Sequence, residues 1–523
     1  MKHLTHQLTT ALFILMLVGF NARTVIGQDD GPPSEGDMMA KMTKMAAIDA
    51  PRGLILNAKG ATKGYKLFAP LTSDVHYLIN NKGEVVHTWK LKYATGSAYI
   101  MDNGHLIATG RDPVSVVFAG GGQNGYIFEY DWDGNLLWEY KYSTDAHLIH
   151  HDIAVMPNGN ILSIAWEAKT AEDGIRMGRN PDNTPKAGLW TDSVIEIEPE
   201  KPSGGRIVWE WHMWDHMIQN YDESLPNYGD PAEHPELVDI NLGKPLKVIT
   251  EEELAQRKAV GFAAPTATVD NKGSDMYHCN AIHYNAELDQ IAISSPGMSE
   301  VFIIDHSTNA AESSGHAGGK YSRGGDLLYR WGNPQNYGRG TEDDQILHEQ
   351  HDVQWIPAGF PGAGNLTIFN NVAGGGPKGP HSAAIEITPP MNDDGSYQTP
   401  ATGPFGPTET AWQYTAPEPS TMFAPFISSV ERLANGNSMI CVGPPGRFFE
   451  VTPENEIVWE YWLPYYSDLR LPDGSRPQPI GPFTYASFRV NHYDAKHPAF
   501  EGRKMKALKP QPVVPAAPAP PGH

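Results

Sequence analysis

Three histidines that recur in one local context carry the most chemistry in this chain. His151, His278 and His351 each open a stretch that reads as a strand, a tight turn and a returning strand. In the first, His147-Leu-Ile-His150-His151-Asp152-Ile153 leads to Asn158-Gly159, a left-handed two-residue turn, and on to Ile161-Leu162. Imidazole titrates near neutral pH, so several brought together can serve as nucleophile, proton donor and proton acceptor. A single such histidine is most simply explained as satisfying local carbonyls, whereas three at one repeat position point to a site. Adjacent His-Asp pairs are weak evidence for dyads, because side chains alternate along a strand; Asp152 and Asp352 are expected to face away from His151 and His351. Imidazoles are good zinc ligands, yet no Cys or His pair has finger spacing and no convergent carboxylates are evident, so no metal is assigned. There is no Gly-x-Ser-x-Gly elbow and no phosphate-binding loop, and no cofactor is assigned.

The elements that must position these residues repeat. Inner hairpins with a turn glycine run over 97–109, 151–166, 351–370 and 428–442, and 278–295 has the same shape around Asn285-Ala286. Aligning them on their turns places His151, His278, His351 and Ser428 at equivalent positions. Outer hairpins end on aromatic-rich strands: Trp89, Trp138 to Tyr140, Trp209 to Trp211, Tyr329 to Trp331, Trp412 to Tyr414 and Trp459 to Tyr461. Five inner hairpins against six outer ones leave the first outer hairpin, Tyr65 to Trp89, without a partner, and the late strand Phe488 to His492 without one as well. Joining the two completes a sixth blade. Four-stranded units at a period of ~40 to 50 residues indicate an all-β, six-bladed β-propeller closed by pairing N- and C-terminal strands. Two β-sandwich domains are the alternative, but no composition break separates them. The innermost strands line the channel, so the histidines of three blades should meet at one mouth. A partly helical insertion, 212–275, lies between blades two and three, with Thr250-Glu-Glu-Glu253 as a capping box for a helix through about Val260.

Lys2, the apolar run Ala11 to Phe20 and Val25-Ile26-Gly27 read as a signal peptide over residues 1–27, and the protein is expected to be exported to the periplasm or beyond the cell. Residues 28–52 form a flexible leader, 53–508 the propeller and 509–523 a disordered Pro/Ala-rich tail. The formal charge of −22, or −24 once Lys2 and Arg23 leave with the leader, argues against nucleic acid and anionic membranes as partners. Cys279 and Cys441 sit in apolar strand patterns and are expected as buried free thiols, a mutual bridge being the alternative.

The stretch Asp275-Met-Tyr-His278-Cys-Asn280-Ala-Ile-His-Tyr284, followed by Ile291-Ala-Ile-Ser294-Ser295, together with Gln350-His351-Asp352, resembles the bacterial arylsulfate sulfotransferases from about Gly60 to Tyr461. The resemblance implies an exported six-bladed propeller that moves a sulfuryl group from a phenolic sulfate ester to a phenol with no nucleotide donor. His351 then corresponds to the covalent carrier, and His151 and His278 to the supporting histidines. The family's arginine follows the Ser-Ser pair, where this chain has Pro296. Turn position nominates Arg447 and then Lys169 as substitute substrate-binding cations. The family's extra N-terminal β-domain has no counterpart in the roughly 25 residues before the first strand, so dimerisation through it is not expected. A non-catalytic ligand-binding propeller and an aryl sulfate hydrolase are the alternatives.

Overall fold

The computed structural model describes residues 51–114, 117–242, 250–259, 267–271, 273–374, 380–466 and 485–514. The expected signal peptide, the leader to residue 50 and the tail beyond residue 514 lie outside these. Six antiparallel sheets stand in a ring as a six-bladed β-propeller, and in blades one to five consecutive strands form a meander. Blade six is assembled from both ends of the fold. Its innermost strand, Ser487–Asp494, pairs with Gly64–Pro70, with Tyr65 opposite Tyr493 and Phe68 opposite Val490. The hairpin Val75–Asn80 and Val85–Lys90 continues outward. The closure expected from the unequal hairpin counts is therefore present. Gly53–Asn57 adds a fifth strand along Ile457–Trp462 at the rim of blade five.

The aromatic repeat of the outer strands is explained by what the indoles reach. Radial sheets bury apolar faces against their neighbours, but each buried indole N–H needs an acceptor. Trp89 donates to Asp131 O (3.0 Å), Trp138 to Gly204 O (2.7 Å), Trp211 to Gly325 O (2.7 Å), Trp331 to Pro407 O (2.8 Å) and Trp459 to Asn81 O (2.9 Å). Each acceptor belongs to the following blade, so the same residue type that fills the core also fixes blade to blade. Trp412 of blade four breaks the series, because its Nε1 has no acceptor among the described residues.

Between blades two and three, the insertion begins with a 3₁₀ turn, Met213–His216, and a short parallel pairing of Met217–Ile218 with Val238–Asp239. The expected capping box forms, with Thr250 N donating to Glu253 Oε2 (2.8 Å) and Glu253 N to Thr250 Oγ1 (3.1 Å), and opens the helix Glu251–Ala259. Cys279 and Cys441 are buried and free. Among the described residues no helix is long and apolar enough to cross a membrane.

Trp138→Phe keeps the ring but orphans the Gly204 carbonyl, and should lower unfolding stability by about 1–2 kcal/mol. Trp412→Phe removes an unpaired donor and should leave stability unchanged or slightly higher. Equal losses in urea denaturation would show that the indole bonds do not fix the blades.

Candidate functional site

Irregular backbone, not regular strand, aims the histidines. In blade two the innermost strand His147–Val155 pairs with Ile161–Lys169, and the register skips from Ile153 opposite Ser163 to Ile149 opposite Ala165. Residues 150–152 thus face a single partner position, a bulge that puts His151 at φ 50°. His278 takes φ 52° just ahead of Ala281–Asn285, and Asp352 takes φ 61° where His351–Trp355 skips register. Left-handed backbone at such residues persists only where the surroundings over-determine it.

The rings of His151 and His278 meet edge to face at 4.5 Å, with Trp166 and Phe488 at 6.1 and 6.2 Å from His151. His351 lies in the same electrostatic neighbourhood, since charge on His278 depresses it and charge on His351 depresses His151. The loop Ala119-Gly120-Gly121-Gly122 folds over the pair. His151 N donates to Gly122 O (2.8 Å), and a Cβ on Gly122, at φ +75°, would stand 2.2 Å from His151 Nε2. Only glycine allows that approach.

Each histidine has its own partners. His351 donates from Nδ1 to Asn371 Oδ1 and Glu349 O, both at 3.0 Å. Asn371 spends its amide hydrogens on Ala424 O (2.7 Å) and Ile427 O (2.8 Å), so its oxygen can only accept, and the lone pair of His351 resides on Nε2. Nε2 accepts Ile427 N–H at 3.0 Å. Burial, only partly offset by the bond to Asn371, lowers the His351 pKa to about 3, so the ring is neutral. His278 differs: Asp275 Oδ2 accepts from its Nδ1 at 2.5 Å, and 29% of its side-chain surface reaches solvent. Burial works against its charge, but the Asp275 carboxylate outweighs burial and raises its pKa. Asp275 Oδ1 also accepts from Trp166 Nε1 (3.1 Å), which fixes the carboxylate. His151 shares a 2.8 Å Nδ1 to Nδ1 bond with His150, whose Nε2 lies 3.0 Å from Asp192 Oδ1. Burial, then the neighbouring imidazoles and Arg489, hold His151 well below its ordinary pKa.

Asp152 and Asp352 part from the histidines, though by bulges and not by regular alternation, and both converge on Arg489 of the closing strand. Arg489 Nη1 donates to Asp152 Oδ2 (2.6 Å), its Nε lies 3.0 Å from Asp352 Oδ1, and Nη2 donates to Asn280 O (3.2 Å). Asp152 further accepts from Tyr99 Oη (2.7 Å) and Ile282 N (3.2 Å), and Asp352 from Val430 N (2.9 Å). Burial opposes the guanidinium charge, and the two carboxylates outweigh it and hold the pKa above its usual value.

The nominated cations sit elsewhere. Arg447 begins the third strand of blade five, bonds Glu460 Oε1 (2.8 Å) and lies over the rings of Phe449 and Trp462. Lys169 lies 3.5 Å from Glu167 Oε2 and lines a cavity of about 380 Å³ with Asp173, Arg176, Met177 and Trp214. Among the described residues no hydrogen bond or ion pair joins either to the three histidines. Pro296 opens the turn after the second strand of blade three, Gln290–Ser295, with its carbonyl accepting Ser299 N (3.0 Å). Sequence reasoning missed Arg489, Asp275, Asn371 and the His150–Asp192 pair. Arg489 had one signal, a lone arginine in an inner strand that otherwise reads as core. It also missed Arg111, whose Nη2 donates to Gln123 Oε1 (3.0 Å) and which has no carboxylate partner among the described residues. Gln123 bridges to His150, so this guanidinium adjoins the loop that covers the histidines.

The family model described as Arylsulfotransferase (ASST) matches residues 61–462. No curated protein is a match. Among solved structures, a protein of unknown function from Bacteroides caccae is similar at 11% identity and TM-score 0.40, over 82% of this chain and 98% of that one. Virginiamycin B lyase from Staphylococcus aureus is similar at 12% identity and TM-score 0.34, over 78% and 88%.

Arg489→Gln would leave two buried carboxylates facing each other without a cation, and should cost about 3–5 kcal/mol of stability. Arg489→Gln combined with Asp152→Asn and Asp352→Asn should recover much of that loss in chemical denaturation. If the triple variant is no better than the single, Arg489 acts through packing and not through charge.

Proposed function

Because this chain belongs to the arylsulfotransferase (ASST) family, we propose that it is an exported, nucleotide-independent transferase that moves a sulfuryl group from a phenolic sulfate ester to a phenol through a sulfo-histidine. The observation that carries the reading is a neutral, tautomer-fixed His351 within electrostatic reach of His278, whose pKa Asp275 raises. Sulfuryl transfer needs that difference: the nucleophile must offer a lone pair while a neighbour holds a proton for the leaving group.

In the first half-reaction His351 Nε2 bonds to sulfur as the bond from sulfur to the phenolic oxygen breaks. His278, charged through Asp275, passes its Nε2 proton to the departing phenolate. Asn371 keeps Nδ1–H of His351 in place, so the adduct forms on one nitrogen. In the second half-reaction neutral His278 takes the proton of the incoming phenol as its oxygen attacks sulfur and the nitrogen–sulfur bond breaks. His351 Nε2 must first release Ile427 N–H. Ile427 at φ 49° and Ser428 at φ 92° are consecutive left-handed residues, the segment we assign to that release. Arg489 is committed to two carboxylates, so Arg111, with no carboxylate partner among the described residues, is the cation we assign to the sulfuryl oxygens in place of Arg447 and Lys169.

A donor ester should leave a sulfuryl-mass adduct on His351 in quenched samples, and His351→Asn should abolish adduct and turnover; an adduct surviving in that variant would refute the assignment. His278→Asn and Arg111→Gln should each lose on the order of 10²-fold in kcat/KM, ~3 kcal/mol of transition-state stabilisation. Asp275→Asn removes the charge that raises the His278 pKa, so the acid form is lost at lower pH. The alkaline limb of the phenol burst should then move to lower pH, and an unmoved limb would exclude His278 as the acid. The occupied Nε2 of His351 favours a second reading, a binding propeller without turnover. A chromogenic aryl sulfate separates the cases: phenol-stimulated release marks a transferase, phenol-independent release a hydrolase, and no release a binding protein.

A further inference from the structure

Away from the channel, where the insertion leaves blade two and crosses to blade three, three ligand atoms converge. His216 ends the turn Met213–His216, and His316 and Asp326 lie in the connection between Glu300–Asp305 and Tyr329–Trp331 of blade three. His216 Nδ1 and His316 Nδ1 each stand 2.8 Å from the same oxygen, Asp326 Oδ1, and all three atoms lie within 4.8 Å of one another.

His216 Nε2 is 2.9 Å from Ser313 O, and a carbonyl only accepts, so that nitrogen carries a proton. With Nε2 turned to that carbonyl, Nδ1 is the ring atom that faces the carboxylate oxygen. A nitrogen and a carboxylate oxygen 2.8 Å apart are joined either by a proton or by a metal cation between them. Ring N–H donated to a backbone carbonyl while the other nitrogen faces inward is the usual outer arrangement of a metal-bound histidine. The surroundings fix that orientation. Trp211 stacks on His216 at 5.6 Å and 5°, and Trp211 Nε1 holds Gly325 O (2.7 Å). Gly325 has room for no side chain: a Cβ there would stand 2.5 Å from His216 Nε2 and 2.0 Å from Ser313 O. His216 and Asp326 are buried, whereas 61% of the His316 side chain is exposed, so the triangle opens to solvent on one side.

We propose that His216 Nδ1, His316 Nδ1 and a carboxylate oxygen of Asp326 bind one divalent transition-metal ion of the Zn²⁺ type, with its remaining position open to solvent. Two imidazoles and a carboxylate suit a borderline cation and not Ca²⁺ or Mg²⁺, which take oxygen ligands. The ion would tie the start of the insertion to blade three. Sequence spacing concealed the set, since His216 lies 110 residues from Asp326 while His316 lies 10 away.

The test uses the full chain, stripped with chelator, dialysed against Zn²⁺ and then against metal-free buffer, with retained metal measured by elemental mass spectrometry. One equivalent of zinc is expected, with a raised Tm and a tetrahedral visible band when Co²⁺ replaces it. His316→Ala, an exposed change that should fold normally, and Asp326→Asn should each weaken binding at least 10²-fold. Zinc retained equally by His316→Ala, or no stoichiometric zinc in the unsubstituted protein, would overturn the proposal; the second outcome would mean that a proton holds the triangle.

Discussion

A guanidinium held between two buried carboxylates on the axis ties this propeller together. Arg489 comes from the strand that closes the ring, and its partners Asp152, Asn280 and Asp352 come from blades two, three and four. Three buried charges are costly unless each has a partner, and here each does: Asp152 and Asp352 accept backbone N–H groups from blades three and five as well as the arginine. The interaction cannot form until the C-terminal strand has docked beside Gly64–Pro70. Ring closure and the shape of the channel are therefore one event, not two.

The same clamp reaches the electrostatics one layer higher. Arg489 adds a small depression to His151 and His351, and the larger differences among the histidines come from burial and from their own partners. Burial strips His351 of its proton against the opposing bond to Asn371, whose acceptor oxygen fixes the tautomer, while Asp275 raises the pKa of His278 against its own burial. One carboxylate placed three residues from His278 thus shifts that imidazole in the opposite direction from its neighbour His351. That divergence is the feature that chemistry can use.

The blade count, the closing strand and the three histidines were legible because each is a property of the repeat: turns align, and residues before a turn fall at equivalent heights. Arg489 was not, because the closing strand has no inner turn of its own against which to count. Counting also misplaced Arg447. Its height along the blade is that of the mouth, but it opens a third strand, two strand spacings or roughly 10 Å farther from the axis than the innermost strand. Alternation predicted that Asp152 and Asp352 would part from the histidines; it could not predict the bulges that turn both back toward the axis. Asp275 and Asn371 were concealed for a different reason. They act through the histidines, and neither residue type nor spacing marks a carboxylate or amide that merely orients a ring.

Strain is distributed with the same logic. Of the non-glycine residues with positive φ, His278, Glu349, Asp352, Ile427 and Ser428 lie at the entrances of innermost strands of blades three to five, and His151 lies in the bulge of the innermost strand of blade two. Each such residue costs about 1–3 kcal/mol, and regular strands would have avoided the cost. Regular strands would also have sent every second side chain into the sheet interface, leaving too few at the axis to build a cluster. The cost is tolerable because the rest of each blade is over-determined, by ladders of regular pairing and by indoles that bond across to the next sheet. A propeller can therefore concentrate its irregularity in one ring at the channel mouth, where a backbone held off its preferred conformation points imidazoles inward.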